Sequence, residues 1–198
     1  MLEFAAMTLN LEIYLSSWII EDGNYADFCV GERRKFALEF WASSPLTKSS
    51  ENVPFLRKQS GHSYDVTGRL IFASGGVWVI DCGVLAYSDR ESEIEGGRKV
   101  GDFVRGNLRF GVDPFFYFEQ HHKIPNIPPL IYDWQVNSIE QDTTPYILSD
   151  DGRMYTRDES KRSHQTVRGT SKDFITLDRA PEFVLYCSKL GTEPSYKL

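Results

Sequence analysis

Apolar side chains recur at every second position along most of this chain, and the runs are punctuated by Gly, Asp, Asn, Ser and Pro. Leu9, Leu11, Ile13 and Leu15 alternate with Asn10, Glu12, Tyr14 and Ser16. A period of two places one side chain in and the next out, which is the signature of a half-buried strand. Trp18 and Ile20 extend this first run before the Asp22-Gly23-Asn24 turn signal. A second run sends Phe36, Leu38 and Phe40 one way and Lys35, Ala37 and Glu39 the other. The stretch 64–72, then 77–81, 84–87 and 103–111, and finally 130–136 read as five further strands, with a closing strand over 182–190. Gly68 inside the first of these marks a bulge or bend, and Ser74-Gly75-Gly76 marks a hairpin turn.

One device occurs twice. Val30-Gly31-Glu32 and Val100-Gly101-Asp102 begin stretches that superpose without a gap, matching Leu38 with Leu108, Phe40 with Phe110 and Lys35 with Arg105. Each opens on a Gly turn and runs into an extended segment. A carboxylate directly after the Gly can accept backbone N–H groups and pin the turn, so Glu32 and Asp102 need no catalytic role.

The one helix signal lies over 114–122. Asp113 is an N-cap residue type, Pro114 suits a first helical turn, and His121-His122-Lys123 supplies donors at the C-terminal end. Phe115-Phe116-Tyr117-Phe118 favours strand by propensity, but the capping residues favour a short helix. Four adjacent rings cannot all face one core, so one or two of them are expected to cover a barrel end or meet a partner.

Five strands between residues 64 and 141 are similar in outline to an OB-fold, a small five-stranded barrel. The expected fold is therefore mainly β: an antiparallel OB-like barrel over about 64–141, extended by N-terminal and C-terminal strands, with one short helix near 114–122. The resemblance rests on pattern alone and departs from the OB outline in placing the helix after the fourth strand. A β-sandwich, or a single mixed barrel that includes the N-terminal strands, stays open. By composition, 1–42 forms an N-terminal β unit, 43–63 a connector rich in Ser and Pro, 64–148 the barrel, and 149–198 a polar loop with a closing strand; all four can belong to one domain.

Charge and cysteine usage narrow the function classes. The net charge of −6 is concentrated in residues 64–148, where 12 acids face 7 bases. Binding to a phosphate backbone is driven by Lys and Arg releasing counterions, so nucleic acid is a poor partner for that segment and a basic protein a better one. Three cysteines, Cys29, Cys82 and Cys187, are odd in number and without CxxC spacing, which points to a reducing, cytoplasmic setting rather than to a disulfide framework or a zinc knuckle. Neither a leader peptide nor a membrane span is expected, because no run nears the roughly 18 apolar residues a spanning helix needs.

No motif carries chemistry on its own. His121 and His122 are adjacent, so their rings diverge on a helix or a strand, and metal sites prefer i, i+4 spacing; helix-end solvation is favoured over a metal site. A catalytic role for either would require an orienting carboxylate such as Asp113 or Asp133. Cys82 follows Asp81, whose charge raises a thiol pKa, which favours a structural cysteine. The cluster 157–164 balances its own charges and reads as a solvated loop. No catalytic residue, metal or cofactor is assigned. The binding candidates are Trp78, Phe116, Tyr117, His121, His122, Tyr132 and Trp134, aromatic and imidazole side chains able to stack, although core packing explains aromatics of a β-barrel equally well. The sequence thus reads as a non-enzymatic binding module for a protein partner or self-association. Its rivals are an OB-like nucleic-acid or small-ligand binder and a hydrolase using the Asp and His residues near 113–133.

Overall fold

The computed structural model describes residues 9–149, 152–171 and 181–198. It is mainly β and divides into two units, one of 35–134 with 189–198 and one of 1–34 with 135–188. The first unit contains a closed barrel of five strands: β1 (Leu38–Ala42), β2 (Tyr64–Ser74), β3 (Val77–Asp81), β4 (Leu85–Ser88) and β5 (Phe103–Val112). Strands β2, β3 and β4 form the expected antiparallel meander. Strand β5 returns antiparallel to β2 over Tyr64↔Leu108 to Arg69↔Phe103.

The closing strand differs from the expectation. It is β1, which lies upstream of the meander, parallel to β4 at Glu39↔Tyr87 and antiparallel to β5 from Leu38↔Val112 to Ala42↔Leu108. Ile131–Asp142 is a strand as expected, but it is not part of the five-strand ring. Ring closure depends on pairing between residues far apart in the chain, and period-two patterning marks each strand without naming its neighbour.

The two repeated stretches do use one turn twice. Gly31 and Gly101 have φ of 89° and 101°, and in each case the residue after Gly donates its N–H three residues back, Glu32 to Cys29 O at 3.2 Å and Asp102 to Lys99 O at 2.9 Å. Glycine adopts this left-handed geometry without Cβ strain. Asp102 Oδ2 also accepts the Lys99 N–H at 2.9 Å, the pinning role expected of that carboxylate. The strands that follow meet as β1 and β5, with Phe40 opposite Phe110.

The bulge of β2 falls between Leu70 and Phe72 rather than at Gly68. A Cβ at Gly68 would lie 3.4 Å from the Asp81 carbonyl oxygen, an ordinary van der Waals contact, so nothing at this position requires glycine. Beyond the ring, the stretch 43–63 contributes Thr47–Lys48, paired to β5, and Phe55–Lys58, paired to the first half of β2.

One core cluster of this unit gathers Ala37, Phe72, Val77, Val79, Tyr87, Tyr117, Ile127, Leu130 and Ile131, all nearly inaccessible. Full burial of an aliphatic or aromatic side chain stabilises by about 1.5–3 kcal/mol each, so this cluster is a principal support of the segment that follows β5. Trp134 is fully buried, stacks on Phe36 with centroids 5.5 Å apart, and donates its indole N–H to the Phe36 carbonyl at 3.2 Å.

In the second unit, Asn10–Ser16 pairs antiparallel with Glu182–Ser188, from Asn10↔Ser188 to Ser16↔Glu182, and Leu11, Ile13 and Leu15 are buried as their period predicts. Trp18 and Ile20 do not continue that strand. The chain turns into a helix over Ser17–Glu21, ended by Asp22 and Gly23 donating to the Trp18 and Ile20 carbonyls, which leaves Trp18 exposed and buries Ile19. Ile139–Asp142 pairs with His164–Val167, and Tyr146–Leu148 forms a separate two-stranded ribbon with Tyr155–Arg157. Part of the expected polar loop, 150–151 and 172–180, lies outside the described residues.

Candidate functional site

The aromatic run after β5 folds into a knuckle. Phe116–Glu119 is one helical turn and His121–Lys123 a 3-10 turn, close to the expected short helix. Asp113 caps it, though two residues ahead of the helix boundary. Its Oδ1 accepts the Tyr117 backbone N–H at 3.1 Å, and Phe115, not Asp113, occupies the N-cap position. Phe115 has φ 78°, a left-handed conformation that costs a non-glycine residue of the order of 1 kcal/mol.

The knuckle splits its rings between core and solvent. Tyr117 is fully buried and donates its hydroxyl to the Pro128 carbonyl at 2.7 Å. Phe116 and Phe118 are 38% and 36% exposed. Phe118 stacks on the His122 ring, with centroids 6.1 Å apart and planes at 25°, and tilts against Phe115 at 5.1 Å. His122 Nδ1 lies 3.2 Å from the Tyr117 carbonyl oxygen, which orients the ring.

Beneath the knuckle lies a buried polar cluster. Tyr87 on β4, fully buried, donates its hydroxyl to Asp113 Oδ1 at 2.5 Å. Burial raises the Asp113 carboxyl to about 6, although the Tyr87 hydroxyl and the N–H groups of Tyr117, Phe116 and Phe115 all favour its ionised form. Glu39 on β1 is 7% exposed, and burial, followed by the negative charges of Asp89 and Asp113, raises it to about 7; Arg90 and the Trp41 indole oppose that shift. Burial and the neighbouring Asp113 carboxylate hold the Tyr87 phenol well above its usual range. The His121 ring meets Tyr87 edge-on at 5.4 Å, and its Nε2 lies 3.6 Å from Asp89 Oδ2. Burial lowers the His121 pKa despite that carboxylate.

The other candidates are placed apart from the knuckle surface. Tyr132 and Trp134, 4% and 0% exposed, pack edge-to-face in the core at 5.9 Å. Their rings pack against protein, so neither offers a stacking face to solvent. Trp78 on β3 is half-buried and lines a depression of about 390 Å3 with Ala73, Ser74, Gly76, Val77, Ile94 and Gly96. Its indole N–H is buried without an acceptor among the described residues. Cys82 and Cys187 are buried, and burial pushes both thiols up to about 12, which makes them poor nucleophiles.

Of the residues gathered here, sequence reasoning singles out Asp113, Tyr117 and His121 and gives Glu39, Tyr87 and Asp89 no part in a site. Asp89, not Asp113 or Asp133, is the carboxylate beside His121. Glu39 sits at a position that alternation assigns to solvent, and its one local signal is that two large apolar residues, Leu38 and Phe40, enclose it. No family model, curated protein or solved structure matches the chain.

Proposed function

We propose that this chain is a non-enzymatic protein-interaction module in which the barrel is a frame and the knuckle of residues 115–122 is the contact surface. The observation that carries this reading is the pair of exposed rings, Phe116 and Phe118, mounted beside a fully buried Tyr117. Clustered exposed aromatics are where interface energy concentrates, and a mount already fixed by hydrogen bonds lowers the ordering cost of binding. The proposed occupant is a protein offering an apolar pocket rimmed by Lys and Arg. Charge along the chain supports it, since the 64–148 stretch has 12 acids against 7 bases, while on the knuckle itself exposed Glu119 is offset by exposed Lys123. A hydrolase reading has less support, because the ionisable groups gathered here, Glu39, Tyr87 and Asp113, are sealed at 7%, 0% and 1% exposure.

A second reading has one observation in its favour. Among the described residues the depression at Trp78 has no charged lining residue, which suits an uncharged small ligand better than a phosphate backbone.

The test places a photoreactive benzoyl-phenylalanine at position 116 or 118, with exposed position 53 as control. The expected result is a crosslink to a basic protein from 116 and 118 only, weakened by salt and suppressed by excess unmodified protein. A competitor carrying Phe116→Ala and Phe118→Ala is expected to suppress it at least tenfold less well. Adducts no stronger than those from position 53 refute the proposal.

A further inference from the structure

Strand β3 turns Val77 and Val79, 1% and 0% exposed, into the core, so alternation sends Trp78 out through the opposite face. There it stands across from Ala73 on β2 and Ser88 on β4, and the loop that carries Ile94 and Gly96 completes the depression of about 390 Å3. That loop is fixed in place. Leu46 accepts the Glu95 N–H at 3.0 Å and donates its own N–H to the Glu93 carbonyl at 2.8 Å, Ile94 is buried, and the Glu93 carboxylate accepts the Ala42 N–H. A wall already formed lowers the ordering cost of binding.

Two features select what such a seat can hold. The first is charge. None of the described lining residues is charged, and described charges of the neighbouring loop are engaged elsewhere: Arg90 lies over the Trp41 ring, 5.9 Å from its centroid, and Arg98 pairs with Glu95 at 2.6 Å. A phosphate or carboxylate would lose water there and gain no partner. Among the same lining residues Ser74 brings the one side-chain hydroxyl, a poor match for the many hydroxyls of a sugar.

The second feature is the Trp78 indole N–H, closed off from water and without an acceptor among the described residues. An unmatched buried donor costs about 1–3 kcal/mol, which an arriving acceptor recovers. The acceptor reaches it through a small swing of the half-buried indole. Room for that swing exists, since a Cβ at Gly76 or at Gly96 would meet nothing within 4 Å.

We propose that the depression at Trp78 binds a small, uncharged, apolar molecule bearing a carbonyl group, such as a lactam or a ketone. Its apolar body lies against Ala73 and Ile94, and its carbonyl oxygen accepts the Trp78 indole N–H. The proposal rests on the reading of the depression as a seat for an uncharged ligand and supplies the chemistry that reading leaves open.

The test follows the indole N–H resonances of the nitrogen-15-labelled full chain, which has four Trp, during titration with 2-quinolone, an uncharged lactam. Trp78→Phe identifies the Trp78 resonance by its loss. The expected result is a saturable downfield shift of that resonance with the others unmoved. Indole, which offers no acceptor of this kind, is expected to bind at least about tenfold more weakly, and methyl glucoside to give no shift. Gly96→Val fills open space at the lining and is expected to abolish the response with Tm unchanged. Should that variant not fold, Trp78→Phe takes its place: by ligand-observed resonance, its preference for 2-quinolone over indole is expected to shrink to within about twofold. Indole or methyl glucoside binding as tightly as 2-quinolone overturns the carbonyl assignment and keeps the seat for an uncharged ligand. No saturable shift with any of the three refutes both, and a full response in Gly96→Val overturns the placement.

Discussion

Removing one oxygen atom from Tyr87 measures how strongly the buried cluster holds charge. In Tyr87→Phe the ring keeps its place in the core and Asp113 loses a donor at 2.5 Å, with both residues almost inaccessible to water. At pH 8 Asp113, raised to about 6, is ionised, and a hydrogen bond to a charged group contributes about 1.5–3 kcal/mol. At pH 5 it is neutral, and the same bond contributes about 1 kcal/mol. The cost of the substitution is therefore expected to grow by about 1–2 kcal/mol between the two pH values, as Asp113 titrates about one unit higher in the variant. Urea denaturation reads this directly: with a slope of about 1–3 kcal/mol per molar, the midpoint drops by under about 1 M at pH 5 and by more at pH 8. Equal losses at both pH values refute the reasoning, because the hydroxyl would then not touch the charge of Asp113.

The natural chain itself should be most stable in mild acid. Glu39 and Asp113 have folded pKa values of about 7 and about 6, above their ordinary 4.5 and 3.8. Their contribution is fully present below the ordinary values and is lost as pH rises through the folded ones; for Glu39 the loss is about 3 kcal/mol between pH 4.5 and 7. Denaturation from pH 5 to 8 should show this fall, and Glu39→Gln should flatten most of it; a stability that rises over that range contradicts the expectation. Gly111→Ala would place a Cβ 2.1 Å from the Trp41 ring, directly across from Glu39 on the paired strand. Such overpacking should cost about 1–3 kcal/mol and lower Tm by several degrees, whereas Gly96→Ala, with open space at its Cβ, should change little; equal Tm values for the two variants would show that Trp41 yields freely.

The strands of the meander, the repeated Gly turn and the aromatic knuckle were legible in the sequence because each is a local property, whereas Thr47–Lys48, Phe55–Lys58, Tyr155–Arg157 and His164–Val167 are strands in stretches that read as connector or loop. Alternation over 64–72 and 77–81 sets inward and outward faces whatever the partner strand, and Gly31 and Gly101 reach positive φ because they lack a Cβ. The same locality explains where the reading stopped at Trp18, where alternation passed into a helix, and at Tyr132 and Trp134, whose stacking rings turned out to be packed in the core.

Pattern along the chain therefore determined that this protein is built of strands, where they turn, and that Phe115 to Phe118 cannot all be buried. Only the tertiary structure decided that Leu38–Ala42, rather than the strand from Ile131, closes the ring. That closure sets Glu39 beside Tyr87 and across from Gly111, within the field of Asp113. The physical reason is that strand pairing is chosen by the summed burial and hydrogen bonding of distant segments, and a carboxylate on an apparently polar face becomes a buried one only when another strand covers it.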